Sequence, residues 1–155
     1  MSRFRGSPER DTDGTLFFAA FDPKHGEELW KSDGTEAGTV LVKDINPGPA
    51  SSSPGGFANI GGTVFFSALD PLVGDELWKT DGTPEGTVLV ADISPGPGSS
   101  CSSAGSSCPG RLINVNGTLF FFAKEPAHGD ELWKSDGTAA GTVLVKGHQP
   151  RPRRL

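Results

Sequence analysis

Apolar residues in this chain come in short consecutive runs: Leu16-Phe17-Phe18, Val64-Phe65-Phe66 and Leu119 through Phe122, followed in each case by a Leu-Trp pair and a Val-Leu-Val triplet. Successive side chains of a strand point to opposite faces, so a strand with one wet face alternates apolar and polar residues. Consecutive apolar residues predict strands covered on both faces, and nothing in the chain has a helical period. The most complete unit reads as four strands, Phe57–Ile60, Thr63–Ala68, Glu76–Thr80 and Thr87–Ile93. The turns between them carry the residues that tight turns need. Asn116-Gly117 and Gly61-Gly62 each sit between apolar runs, a hairpin signal, and in the loop from Asp81 to Gly86 an aspartate can accept bonds from backbone N–H groups ahead of it.

The pattern repeats. Trp30, Trp78 and Trp133 stand in the settings GEELWKSDGT, GDELWKTDGT and GDELWKSDGT, 48 and then 55 residues apart. The extra seven residues fall between Pro97 and Pro109, in a Ser/Gly-rich stretch. Tandem units of four strands, apolar on both sides, predict an all-β chain of stacked antiparallel sheets, an incomplete β-propeller of about three blades. A β-trefoil accounts for the count of three, but its barrel buries only one face of each strand. The units divide the chain into a non-repeat segment 1–10, a first repeat with its connection over 11–60, a second over 61–115 with an insertion at 98–108, a third over 116–146, and a basic tail 147–155. The first repeat is expected to lack its first strand, because Glu9-Arg10-Asp11-Thr12 stands where the second has Phe57-Ala58-Asn59-Ile60.

Composition and charge narrow the partners. Glycine and proline make up 35 of 155 residues, and only 34% of the chain is hydrophobic, so the core must be economical. The net charge of −5 hides six arginines near the two ends; residues 11 to 147 carry 8 Lys or Arg against 18 Asp or Glu. An acidic body argues against nucleic acid as a partner. No apolar run has the length of a membrane span, and the first residues, MSRFRGSPERDTDG, lack the apolar stretch of a signal peptide. Cys101 and Cys108 lie seven apart in a flexible stretch and are read as a local disulfide, with two idle thiols as the alternative.

Candidate chemistry is thin. His25 and His128 occupy equivalent loop positions where the second unit has Val73, which argues against a catalytic imidazole, and His148 lies in the tail. The acid pairs Glu27-Glu28, Asp75-Glu76 and Asp130-Glu131 raise calcium as a ligand, since hard cations take several oxygens. Neighbours on a strand point apart, so each pair cannot chelate alone, and solvated strand ends with Asx turns are the expected reading. Asp11-Thr12-Asp13-Gly14 resembles the start of a calcium loop but lacks the later ligands. The three tryptophans are read as packing between sheets rather than as sugar-stacking platforms.

The threefold motif resembles that of the ELWxxDGT repeat proteins, bacterial chains of tandem units of this size. The resemblance runs from Asp11 to Lys146 and rests on Glu28, Leu29, Trp30, Asp33, Gly34 and Thr35, on Glu76, Leu77, Trp78, Asp81, Gly82 and Thr83, and on Glu131, Leu132, Trp133, Asp136, Gly137 and Thr138. It implies a secreted or surface-associated propeller-like array and supplies no catalytic residue. The chain departs from the pattern after Lys146. The codons GGA CAT CAA CCC CGG CCC CGC CGG CTC would encode Gly147 to Leu155, and without their first nucleotide they read Asp-Ile-Asn-Pro-Gly-Pro-Ala-Gly, close to Asp44-Ile45-Asn46-Pro47-Gly48-Pro49-Ala50 of the first unit. One extra nucleotide would thus explain the tail, and the gene sequence decides it. Fewer than three blades cannot close a ring that needs four to eight. The expected partners are therefore a second copy or further repeats of a longer chain, with a surface glycan or protein as ligand. A binding or assembly module is the favoured function, a structural spacer or a truncated fragment the alternative, and an enzyme the least expected.

Overall fold

The computed structural model describes residues 9–10, 13–96, 107–127 and 129–147. They form three four-stranded antiparallel sheets, each with its strands side by side in chain order. The first holds β1 (Glu9–Arg10), β2 (Leu16–Asp22), β3 (Gly26–Ser32) and β4 (Val40–Lys43). The second holds β5 (Gly55–Ile60), β6 (Thr63–Asp70), β7 (Gly74–Thr80) and β8 (Val88–Ala91). The third holds β9 (Gly110–Val115), β10 (Thr118–Glu125), β11 (Gly129–Ser135) and β12 (Val143–Lys146). There is no helix among the described residues, and so none long and apolar enough to cross a membrane. Strands pair only within their own sheet, so these residues close no barrel of the kind a trefoil requires.

Turn chemistry sets the hairpins. Asn116 and Gly117 have φ of 51° and 86°, and Gly61 and Gly62 have 60° and 90°, the two positive values that let a two-residue turn follow the twist of its strands. Two details depart from expectation. The first sheet was expected to lack its first strand, yet Glu9 and Arg10 pair with Phe17 and Leu16. The described part of β1 holds two residues, where β5 and β9 have six. The fourth strand of the second sheet is also shorter than the expected Thr87–Ile93. Beyond Ala91 the backbone leaves the ladder, and the Ile93 N–H donates to the Glu76 carboxylate at 2.9 Å.

The doublets at the centre of each second strand explain the stacking. Phe17 and Phe65 are equivalent, as are Phe18, Phe66 and Phe121, and the two classes point to opposite faces. From the first sheet, Phe17, Leu29, Val42 and Ile45 meet Val64, Phe66, Ala68 and Trp78 of the second. From the second, Ala58, Phe65, Leu77, Val90 and Ile93 meet Leu119, Phe121 and Ala123 of the third. We call the face carrying Phe17 or Phe65 trailing and that carrying Phe66 or Phe121 leading. The register supports the leading face, since Phe18 lies opposite Trp30, Phe66 opposite Trp78 and Phe121 opposite Trp133. Fully burying one such phenylalanine contributes about 1.5–3 kcal/mol, so the sheet contacts, more than strand propensity, hold the stack.

Candidate functional site

The motif glutamates are not solvated strand ends. Glu28 and Glu76 are completely buried and Glu131 nearly so, which corrects the expectation for these acids. A buried carboxylate needs hydrogen-bond donors. Glu76 accepts from the backbone N–H of Ile93 (2.9 Å), Ser94 (3.2 Å) and Ser107 (3.0 Å), and from Ser107 Oγ (2.6 Å). Glu28 repeats the set with Ile45 (2.9 Å), Asn46 (3.2 Å), Ser52 N (3.0 Å) and Ser52 Oγ, at 2.5 Å. Each glutamate therefore ties the exit of its sheet's fourth strand to the connection leading into the next sheet. The serine then bridges onward: the Leu69 N–H donates to Ser52 O, and the Lys124 N–H to Ser107 O. Ser52 and Ser107 were not singled out in the sequence. Their signal is the shared Ser-x-Pro-Gly of Ser52-Ser53-Pro54-Gly55 and Ser107-Cys108-Pro109-Gly110, 55 residues apart.

Burial pushes the Glu76 carboxyl up to about 7, against the pull of Ser107 and the backbone donors. It pushes Asp75 up to about 6 and raises Glu28 as well. The folded chain binds these protons more tightly than the unfolded chain does, so their stabilisation is complete below the ordinary carboxyl values and is lost as pH rises through 6 to 7. Asp33, Asp81 and Asp136 are lowered by their bonds to Thr35, Thr83 and Thr138, and their contribution is lost only as pH falls below 3.8. The urea midpoint is therefore expected to be higher at about pH 5 than at about pH 8.

The Asp-Gly-Thr segment forms one turn three times. Asp81 Oδ1 accepts from Thr83 N at 2.9 Å and from Thr83 Oγ1 at 2.7 Å, and Thr83 Oγ1 accepts from Gly86 N at 2.9 Å. Asp33 with Thr35 and Gly38, and Asp136 with Thr138 and Gly141, do the same. A Cβ at Gly38, Gly86 or Gly141 would collide with that aspartate's carboxylate, which is why glycine recurs there. The turn docks on the preceding sheet. Lys31 Nζ donates to Gly82 O at 2.7 Å, Lys79 Nζ to Gly137 O at 2.8 Å, and the Phe17 and Phe65 rings lie against Gly82 and Gly137.

The remaining candidates fall as follows. Trp78 is 6% exposed and Trp133 packs on the second interface, while Trp30 is half-buried on the outer leading face of the first sheet. All three indole Nε1 atoms are buried without a hydrogen-bond acceptor among the described residues. His25 Nδ1 is 2.7 Å from Asp22 Oδ2, both side chains half-buried at the turn between β2 and β3. Cys108 is disulfide-bonded; Cys101, the other cysteine of the chain, lies outside the described residues with most of the insertion. His128, His148, Asp11, Thr12 and the tail beyond Gly147 also lie outside them. Among the described residues, no three His, Cys, Asp or Glu side chains cluster to hold a metal ion.

No family model matches the chain, and no curated protein does. Two solved structures are similar in fold. The crystal structure of puromycin hydrolase is 17% identical, and that of its S511A mutant complexed with PGG 16%, each with a TM-score of 0.60. Each match covers 94% of this chain and 21% of the other, so the chain spans about a fifth of the length of the protein it resembles. At this identity the likeness is one of fold: repeated sheets with propeller-like neighbours.

Proposed function

We propose that this chain is a non-catalytic segment of a β-propeller, each sheet a blade, serving as an assembly and binding module of the secreted or surface type. The observation that carries this reading is what the motif's polar groups are engaged in. Glu76 accepts four protein donors, Asp81 and Thr83 close their own turn, and Lys79 clasps the next blade. The motif is thus used for building and joining blades, and the threefold recurrence of its turn follows from that. The ELWxxDGT resemblance supports the same reading, as does the fold likeness to part of a larger protein. Recognition falls to the loops, which differ between units, and the ligands proposed are a surface protein or glycan.

The test joins this chain to additional copies of its own repeat until a ring closes, then probes protein and glycan arrays and a panel of ester and amide substrates. Saturable binding that changes when the connection 47–56 is exchanged, with hydrolysis at the buffer rate, is the expected result. Turnover of any substrate above buffer, abolished by a single substitution, would overturn it.

A further inference from the structure

The two outer faces of the stack are the two halves of an interface that the chain already forms twice. Inside the stack, Gly82 and Gly137 are buried by the preceding blade's phenylalanine, whereas Gly34 is exposed and a Cβ there would meet nothing within 4 Å. The hydroxyl pairs behind the turns follow suit: Thr80 with Thr87 and Ser135 with Thr142 are buried, and Ser32 with Thr39 is exposed. Among the described residues, the leading face of the first blade is thus a finished plug without a socket.

The opposite end supplies the socket. Lys31 and Lys79 are half-buried in their clasps, while Lys134, their counterpart, is exposed beside a 300 Å³ hollow that Thr118 and Val143 also line. Val145 is 44% exposed, although its counterparts Val42 and Val90 are 3% and 5%. Phe120 occupies the position of Phe17 and Phe65, which cover a turn glycine. A second cation fits too. Lys43 Nζ donates to Thr87 O at 2.9 Å across the first interface, and its third-blade counterpart Lys146 is exposed. By the same register, Lys146 would face Thr39 and the exposed carboxylate Glu36, which stands where the inner interfaces have Pro84 and Ala139.

We propose that the trailing face of the third blade receives the leading face of the first blade of a second copy of this chain, head to tail. Lys134 then clasps Gly34 O, Phe120 covers Gly34, and Lys146 meets Thr39 O and Glu36. This rests on the blade reading above. Such a contact is heterologous, so it grows into a closed ring or an open series rather than a self-complementary pair.

The complete chain, sized by light scattering, should run above its monomer mass of 16.2 kDa. Val145→Arg blocks the socket and Ser32→Arg blocks the plug, so each variant alone should be monomeric, and a mixture should form a one-to-one dimer through the two intact faces. In wild-type chains of two isotopic labels, a carbodiimide should couple Lys146 of one label to Glu36 of the other; this needs no variant to fold. A wild-type monomer, a variant that still pairs with itself, or a missing inter-label coupling would each overturn the proposal. Indole emission on the same samples separates the causes: a monomer with buried-type emission refutes only the docking, and one with water-exposed emission removes the blade stack as well.

Discussion

Glu76→Ala is expected to remove a large part of the stability of the second and third sheets. The substitution strands three backbone N–H groups and the Ser107 hydroxyl in a buried place. Each buried group left without a partner costs about 1–3 kcal/mol, and with some water entering the gap the total is on the order of 3–5 kcal/mol. A domain of ordinary stability has about 5–15 kcal/mol in all. Ser107→Ala, which removes one bond and leaves the carboxylate three donors, should cost only about 1 kcal/mol. Urea denaturation followed by tryptophan emission measures both. Equal losses from the two variants would mean that the carboxylate does not organise the loop.

The second large effect separates the inner interfaces from the outer faces. Phe66 is completely buried between the first and second sheets, and Phe66→Ala should cost about 3–5 kcal/mol through lost transfer energy and the cavity left behind. Phe18 is the same residue of the repeat, but it lies half-buried on the leading face of the first sheet, against which no other sheet packs among the described residues. Phe18→Ala should cost about 1 kcal/mol or less in a dilute monomer. Thermal melts of the two variants at low protein concentration provide the comparison. A Phe18 variant as damaged as the Phe66 variant would show that the leading face is covered even then.

Much of this arrangement was legible in the amino-acid pattern because the stacking signal is local. A Phe-Phe doublet such as Phe65-Phe66 places one ring on each side of its strand whatever surrounds it, and Asn116-Gly117 sets its turn with two residues. The glutamates were misread for the opposite reason. Glu76 sits between an aspartate and Leu77, where a carboxylate ordinarily reaches water, and the serine that makes its burial tolerable lies 31 residues away across an insertion. The end of the fourth strand was misread for the same cause, since Ile93 leaves its ladder to donate to that carboxylate. The turn lay between these extremes. Its aspartate could be read from Asp81 to Gly86, but the clasp of Lys31 on Gly82 spans 51 residues and needs the stack to exist.

The lysine clasp and the glycine turn give the stack a direction, and among the described residues the core packing runs from each sheet to its neighbour in the chain. Cooperativity is then a matter of neighbours: the middle sheet, held on both sides, melts last, and the outer two fray first. Lengthening such an array by one unit adds one more contact of the same kind, so resistance to unfolding should climb in steps with the number of units, and protection of backbone amides should deepen toward the centre.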